Sequence, residues 1–141
     1  MDANPVIRIA DLELFADCSK AELRQIESLT TFLHLEQDRV LMREGSAPKE
    51  FIIIGSGTAR ISRETGQGTA TLADVGRGGF IGEMELLSRA PRAATATAST
   101  DLAVLVSSAS EFQAMLDVAP SVAHKVRRTS MVRAASLEPA A

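Results

Sequence analysis

The chain has 141 residues, of which 45% are hydrophobic and 23% charged, values that fit one soluble globular domain and exclude a disordered chain. Its formal net charge of -3 excludes a global basic field that would recruit nucleic acid or an acidic membrane. The single cysteine, Cys18, excludes an internal disulfide and fits a reducing compartment. We expect a cytoplasmic location, or the cytoplasmic face of a membrane protein if the chain is a fragment. No membrane insertion is expected, because apolar runs such as residues 51–54 are far below the ~20 residues of a membrane helix.

The N-terminal part, residues 1–34, is predicted to be helical, with the helical pattern clearest over residues 11–33. Ser19 followed by Glu22 fits a capping box, in which the serine oxygen accepts from a free backbone N–H and the glutamate reaches back. A helix should therefore begin near Lys20. Its apolar face is carried by side chains at largely helical spacing, namely Leu12, Phe15, Leu23, Ile26 and Leu29.

Residues 35–107 are predicted to be a β-roll, because short apolar or β-branched runs alternate with glycine. The runs are residues 40–42, 51–54, 59–61, 69–72 and 102–106. Glycine adopts positive φ without a steric penalty, so these glycines predict turns. Many short strands at this spacing favour a barrel or a roll of two sheets. Residues 82–88 differ, since they are good helix-forming material for about two turns.

Residues 108–141 are predicted to form C-terminal hinge and lid helices of the same domain. Ser108 and Glu111 make a second possible capping box. Pro120 suits a first helical turn and should open a helix that runs to about Ser136. No helix-turn-helix follows this helix in the sequence, so we expect the chain to contact no nucleic acid.

Residues 80–95 combine side chains that suit a ribose phosphate. Gly82 precedes the short helix, whose first N–H groups could face an anion. Arg92 follows a short loop and could make a forked contact with phosphate oxygens. Glu83 lies in the first turn, where its carboxylate could accept hydrogen bonds from sugar hydroxyls. Groups that bind an anion would thus lie beside a carboxylate that accepts hydrogen bonds from sugar hydroxyls.

This segment resembles the phosphate-binding cassette of the cyclic nucleotide-binding domain family. The resemblance rests on Gly-Glu-Met-x-Leu-Leu followed at the right spacing by Pro-Arg-Ala-Ala-Thr, and Gly45 and Gly57 fall at expected turns. It implies an α+β, mainly β fold. The expected architecture is an eight-stranded antiparallel β-roll, or jelly roll, with an N-terminal helix, a short cassette helix and two C-terminal helices.

The resemblance also implies a role for individual residues. Gly82 and Ala93 would offer backbone N–H groups, the first near the ribose and the second to the cyclic phosphate. Glu83 would accept from the ribose 2′-hydroxyl, and Arg92 would pair with the exocyclic phosphate oxygens. The remaining expected ligand-binding positions are the cassette residues Met84 and Ala94, the strand residues Ile61 and Leu72, which would pack against sugar and base, and Arg133 on the last helix. In some relatives that helix covers the base, a role that Met131 or Arg133 could take here.

Cyclic AMP is the expected ligand, with cyclic GMP as an alternative. Cyclic GMP-selective relatives often carry threonine at the position of Ala93, and alanine lacks the hydroxyl that would bond guanine. The difference is worth about 1 kcal/mol, one modest hydrogen bond. No cofactor or metal is expected, because His34 and His124 have no ligand-spaced partner. No nucleophile–base pair stands out, so we expect no catalysis.

Several alternatives remain open on the sequence alone. Ile61 and Leu72 fit core packing as well as a ligand wall. Glu85 stands where the family usually has alanine, and a second carboxylate near a phosphate is unfavourable unless it points to solvent or meets a cation such as Arg89. The chain could therefore be a degenerate member that serves as a protein-interaction or dimerisation platform. A cupin-like metal enzyme would require clustered histidines. Expected protein partners are a second copy of the chain or a fused or separate effector domain.

Overall fold

The computed structural model of the protein describes residues 7–137. Two short 3-10 helices, Ile9–Asp11 and Glu13–Phe15, precede helix α1 (Lys20–Ser28). Helix α2 (Glu83–Ser88) interrupts the strands, and α3 (Ala109–Val118) and α4 (Pro120–Leu137) follow them. The strands are β1 (Thr31–Leu35), β2 (Val40–Met42), β3 (Glu50–Ser56), β4 (Ala59–Thr65), β5 (Gly68–Val75), β6 (Phe80–Ile81), β7 (Thr95–Ala98) and β8 (Leu102–Ser108). The predicted eight-stranded antiparallel roll with these helices is confirmed over the described residues.

The strands form two four-stranded antiparallel sheets, in the orders β1-β8-β3-β6 and β2-β7-β4-β5. Apolar side chains between the sheets make one core cluster, which includes Met42, Ile52, Ile54 and Val104. A second cluster lies where the helices pack on the first sheet, and it includes Phe15, Ile26, Phe51, Phe112 and Val122. The helical and β parts of the chain therefore share the first sheet, whose strand β3 supplies side chains to both clusters.

Both predicted capping boxes are present. Ser19 Oγ accepts from the Glu22 backbone N–H at 3.1 Å, and the Glu22 carboxylate accepts from the Ser19 N–H at 2.8 Å. Ser108 and Glu111 make the same reciprocal pair at 3.1 and 2.9 Å. Helices α1 and α3 begin directly after these serines, as predicted.

The predicted N-terminal helical region is too long. Helix α1 ends at Ser28, and residues 31–35 form β1, which pairs with β8 in the register Thr31↔Val106 to Leu35↔Leu102. The backbone groups of β8 gain ladder hydrogen bonds from this distant segment, and that non-local gain outweighs the local helical spacing. The predicted helix after Pro120 is confirmed and runs to Leu137, while residues 138–141 lie outside the described residues.

Helix α4 is anchored at its start and contacts the cassette near its end. Val122, Ala123 and Val126 are buried in the helical core cluster. Lys125 Nζ donates to the Glu13 carbonyl at 2.6 Å and pairs with the Asp17 carboxylate at 3.1 Å, which ties the helix to the N-terminal segment. Over residues 7–137, no helix has the length and apolar character needed to cross a bilayer.

Candidate functional site

A cavity of about 320 Å³ lies where β4 and β5 meet the cassette and the end of α4. The sequence predicted nine ligand-binding residues, and the structure brings all nine to the walls of this one cavity. They are Ile61, Leu72, Gly82, Glu83, Met84, Arg92, Ala93, Ala94 and Arg133. Residues more than 70 positions apart in the chain therefore converge on a single space.

Gly82 opens the cassette helix in a conformation that favours glycine. Its φ is +96°, in the left-handed region. A Cβ at this position would lie 2.6 Å from Met42 Cε, 2.7 Å from the Glu50 carbonyl oxygen and 3.1 Å from an Arg92 nitrogen. The absence of a side chain therefore lets the cassette backbone approach β3 closely.

Arg92 is buried, although a single loop arginine is more often solvated. Its residue is 4% exposed, and its guanidinium donates to the Gly82 carbonyl at 2.7 Å and to the Glu50 carbonyl at 2.6 Å. Its backbone is also fixed, since its N–H donates to the Ser46 carbonyl and its carbonyl accepts from the Gly45 N–H, each at 2.8 Å. The guanidinium is thus held in place by main-chain atoms at the wall of the cavity.

Glu85 meets a cation, which was one of the two possibilities that the sequence left open, but the cation is Arg92 instead of Arg89. Its residue is 8% exposed, and its carboxylate accepts from Arg92 Nη1 at 3.1 Å. Arg89 instead ends α2 in a left-handed conformation with φ +59° and is exposed. Because α2 runs along the wall of the cavity, its third residue is directed inward.

Glu83 is the most deeply buried acidic residue at the cavity, with 1% exposure. One carboxylate oxygen accepts from Arg133 Nη1 at 2.5 Å, and the other, Oε2, has no partner among the described residues. Burial raises the pKa of Glu83 above its ordinary value, and the charge of Arg133 opposes that effect in part. The site therefore holds a buried acceptor that is only half satisfied.

Arg133 reaches the site from α4 and rests on an aromatic ring. Its guanidinium carbon lies 5.2 Å from the centroid of the Phe80 ring, within the range of a cation–π contact. Of the two residues considered for the lid, Met131 is 74% exposed and is absent from the cavity wall. Arg133 is thus the one of the two that the fold directs to the cavity.

Sequence reasoning missed several residues of the site. Phe80 was not expected beneath Arg133, and Asp74 and Ser136 also line the cavity. Asp74 lies two residues from Leu72 on β5, but the pairing with β4 shifts register at Leu72 and Ala73 and Val75 line the cavity as well, so strand alternation gives no signal that selects it. Leu72 itself is exposed, which favours a ligand wall over core packing.

His34 falls within residues 1–34, which were predicted to be helical, but the structure places it in a strand, β1. Its ring packs edge-on against Phe32 at 4.9 Å. In the part of the chain that the structure describes, no group of three or more His, Cys, Asp or Glu side chains could hold a metal ion. These residues therefore contain no histidine cluster of the kind that a cupin-like metal enzyme would require.

The β-roll and its cavity, walled by a buried arginine and a short glycine-led helix, define a small-ligand-binding module. The Cyclic nucleotide-binding domain family matches residues 32–118, more than half of the chain. The chain belongs to this family.

Similar proteins carry the domain within longer chains. The chain is 30% identical over 128 residues to "Acetyltransferase Pat" of Mycolicibacterium smegmatis, covering 91% of this chain and 38% of that protein. The catabolite activator protein of Thermus thermophilus has 28% identity and a TM-score of 0.76 over 88% of this chain and 60% of the other. The regulatory domain of Toxoplasma gondii PKA, solved with cAMP, has 26% identity and a TM-score of 0.68 over 75% of this chain and 41% of the other.

Proposed function

We propose that this chain is a sensor module that binds cyclic AMP and transmits binding through α4. The observation that carries the proposal is the Glu83 carboxylate at the wall of the cavity, whose buried oxygen Oε2 has no hydrogen-bond partner among residues 7–137. Leaving such an atom unsatisfied costs about 1–3 kcal/mol, so a ligand that donates a hydroxyl there recovers that cost. The free 2′-hydroxyl of a cyclic nucleotide is such a donor.

Arg92 is the proposed partner of the cyclic phosphate. A guanidinium has five N–H donors, and protein oxygens among the described residues accept from three of those of Arg92. Two donors are left for phosphate oxygens, and the backbone N–H of Ala93, at the cavity wall, is a further candidate. Since the guanidinium is already fixed, binding would require little ordering of this side chain.

Ile61 and Leu72 supply the apolar wall for sugar and base, on the adjacent strands β4 and β5. The cavity volume of about 320 Å³ is at the lower end of the range typical of small-ligand pockets, about 300–1,000 Å³. Ala93 has no hydroxyl for guanine, which favours cyclic AMP over cyclic GMP. The cAMP in the similar regulatory domain of Toxoplasma gondii PKA supports the same choice.

Transmission is proposed to run through the Glu83–Arg133 pair. Arg133 occupies one oxygen of the carboxylate, and the ribose hydroxyl would occupy the other. Both contacts favour the ionised carboxylate, so each strengthens the other, and ligand binding would favour the docked position of α4. An effector domain that follows α4, or a partner that touches it, would receive the signal. The chain spans 38% of the similar acetyltransferase, which leaves room in such proteins for an effector.

A second candidate is an interaction platform that has lost its ligand. The observation in its favour is that both charged groups of the site already have protein partners, Arg92 with Glu85 and Glu83 with Arg133. Under this candidate, cyclic nucleotides would leave the stability of the fold unchanged.

Isothermal titration of the purified chain with cyclic AMP, cyclic GMP and linear 5′-AMP tests the proposal. We expect saturable binding of cyclic AMP, weaker binding of cyclic GMP, and weaker binding still of 5′-AMP. A thermal-shift series separates the two candidates, because ligand at about 100 times its dissociation constant stabilises a fold by ~2.7 kcal/mol. Absence of binding at millimolar cyclic AMP and of any thermal shift would favour the platform.

A further inference from the structure

Arg92 already has a negatively charged partner before any ligand is present. The Glu85 carboxylate lies 3.1 Å from Arg92 Nη1, and the two side chains are 10% and 3% exposed. Both residues also line the proposed nucleotide cavity. The anion-binding part of the cavity therefore has a formal charge near zero instead of +1.

We propose that Glu85 is a specificity-determining residue that acts as a built-in counter-ion for Arg92 and weakens the site for anionic ligands. This inference rests on the proposed function and concerns how tightly, and how selectively, the same site binds. A phosphate that uses the two remaining Arg92 donors shares one guanidinium with the Glu85 carboxylate. Two like charges on one cation disfavour each other, so the phosphate gains less from Arg92 than it would from an arginine without this partner.

The other contacts of Arg92 show why the pair weakens ligand binding without moving the arginine. The carbonyl oxygens of Gly82 and Glu50 hold the guanidinium at 2.7 and 2.6 Å, independently of Glu85. Removing the carboxylate would leave Arg92 in place but without a counter-ion. A buried unpaired charge is unfavourable, and a ligand phosphate would then relieve it.

Two consequences follow for ligand choice. The site should respond to cyclic AMP only at higher concentrations than it would with a small apolar residue at position 85. It should also discriminate less strongly between cyclic AMP and uncharged adenosine than a site with a small apolar residue at position 85, because Glu85 reduces what Arg92 contributes to the difference between them. Both effects require Arg92, which distinguishes this role of Glu85 from a general effect on packing.

The test compares wild type with Glu85→Ala, Arg92→Ala and the double variant, each titrated with cyclic AMP and with adenosine. We expect Glu85→Ala to bind cyclic AMP about tenfold more tightly, equivalent to ~1.4 kcal/mol, and adenosine with an affinity within about threefold of wild type. The double variant should bind cyclic AMP no more tightly than Arg92→Ala does. Without ligand, Glu85→Ala should melt at a lower temperature than wild type. Cyclic AMP should raise its melting temperature by more than it raises that of wild type. Glu27→Ala, which removes an exposed carboxylate on α1, makes the same change in net charge and should leave both affinities unchanged.

The outcomes separate this inference from the proposed function. If wild type binds cyclic AMP and Glu85→Ala binds it equally or less tightly, the inference is overturned and the proposed function stands. An equal gain for adenosine, or a gain that persists in the Arg92→Ala background, also overturns it. If neither wild type nor Glu85→Ala binds any cyclic nucleotide, the proposed function fails and this inference fails with it. Glu85→Gln, which keeps the shape and removes the charge, should retain most of the gain and replaces Glu85→Ala should that variant not fold.

Discussion

Arg133, near the end of α4, donates a hydrogen bond to Glu83, which lies 50 residues earlier at the start of the cassette helix. The contact joins the two elements that would have to communicate in a sensor. It leaves Glu83 Oε2 without a partner in the described part of the chain, so a ligand can add to the contact without replacing it. The coupling between cavity and helix therefore depends on one carboxylate with two acceptors.

This geometry predicts that cyclic AMP slows backbone amide exchange in residues 129–137. The ligand strengthens the contact of Glu83 with Arg133, and a more firmly docked helix end opens less often. Hydrogen–deuterium exchange followed by mass spectrometry would measure the change. Arg133→Ala should abolish the ligand-induced slowing, whereas Arg128→Ala, which removes an exposed arginine of the same helix, should preserve it. Equal slowing in Arg133→Ala and wild type would contradict this coupling.

Arg92→Ala is expected to weaken cyclic AMP binding by roughly 1.5–3 kcal/mol, the range for charge-assisted hydrogen bonds. Titration calorimetry measures the loss, and Arg43→Ala, at an exposed arginine, serves as the control. Because Arg92→Ala also leaves two carbonyls and a carboxylate without a donor, Arg92→Lys provides a second variant. Lysine keeps the positive charge but cannot make the two-donor contact of a guanidinium with phosphate oxygens, so the affinity for cyclic AMP should still fall. Unchanged affinity in both variants would place the phosphate elsewhere.

Gly82→Ala is expected to destabilise the fold by more than 1 kcal/mol, because a Cβ there meets both strain and close neighbours. Chemical denaturation measures the change in the free energy of unfolding. Two other glycines separate the causes. Gly78 has φ +84° with nothing near its Cβ position, and Gly66 has neither a positive φ nor a neighbour there. The expected order of destabilisation is Gly82→Ala, then Gly78→Ala, then Gly66→Ala, and equal effects at Gly82 and Gly78 would show that the close approach contributes nothing.

Glu83 should make the free energy of unfolding fall as the pH rises. Burial raises the pKa of this carboxyl in the folded state, so the folded state binds its proton more tightly than the unfolded chain does. Its contribution is fully present below the unfolded pKa, about 4.3, and is lost as the pH rises through the higher folded pKa. The stability of wild type relative to Glu83→Gln should therefore decrease above about pH 4. Denaturant titrations over a pH series measure this difference, with Glu27→Gln as the exposed control; a difference that grows with pH would contradict it.

Ala93→Thr should shift selectivity toward cyclic GMP. The added hydroxyl can bond guanine, which is worth about 1 kcal/mol, or roughly a fivefold change in the ratio of the two dissociation constants. Competition titrations with both nucleotides measure that ratio. Ala94→Thr places the same hydroxyl on the neighbouring cassette residue and should leave the ratio unchanged. A shift in Ala94→Thr alone would show that the base contacts a different part of the loop.

The features that sequence predicted well depend on local chemistry. The two serine–glutamate capping boxes fixed the starts of α1 and α3, because both partners lie within four residues of each other. Gly82, Glu83 and Arg92 could be grouped by their chemistry and spacing, whereas Met84, Ala93 and Ala94 were implied by the resemblance to the family's cassette; the structure places all six around one cavity.

The features that sequence did not predict depend on distant partners. Residues 31–35 become a strand only because β8, some 70 residues later, offers a free edge. The partner of Glu85 depends on where the Glu50 carbonyl holds Arg92, and the partner of Glu83 lies on the last helix. Neither pairing leaves a local signal, since the chemistry of a carboxylate does not specify which of the 15 lysines and arginines it meets.

The Arg92 guanidinium is held by hydrogen bonds to two main-chain oxygens, and this matters for engineering of the module. Backbone carbonyl groups remain under every substitution of the surrounding side chains. The Arg92 guanidinium therefore keeps its position when the side chains around it are changed. A biosensor built on this scaffold could therefore have its working concentration range adjusted at the cavity wall without redesign of the frame that holds the charge.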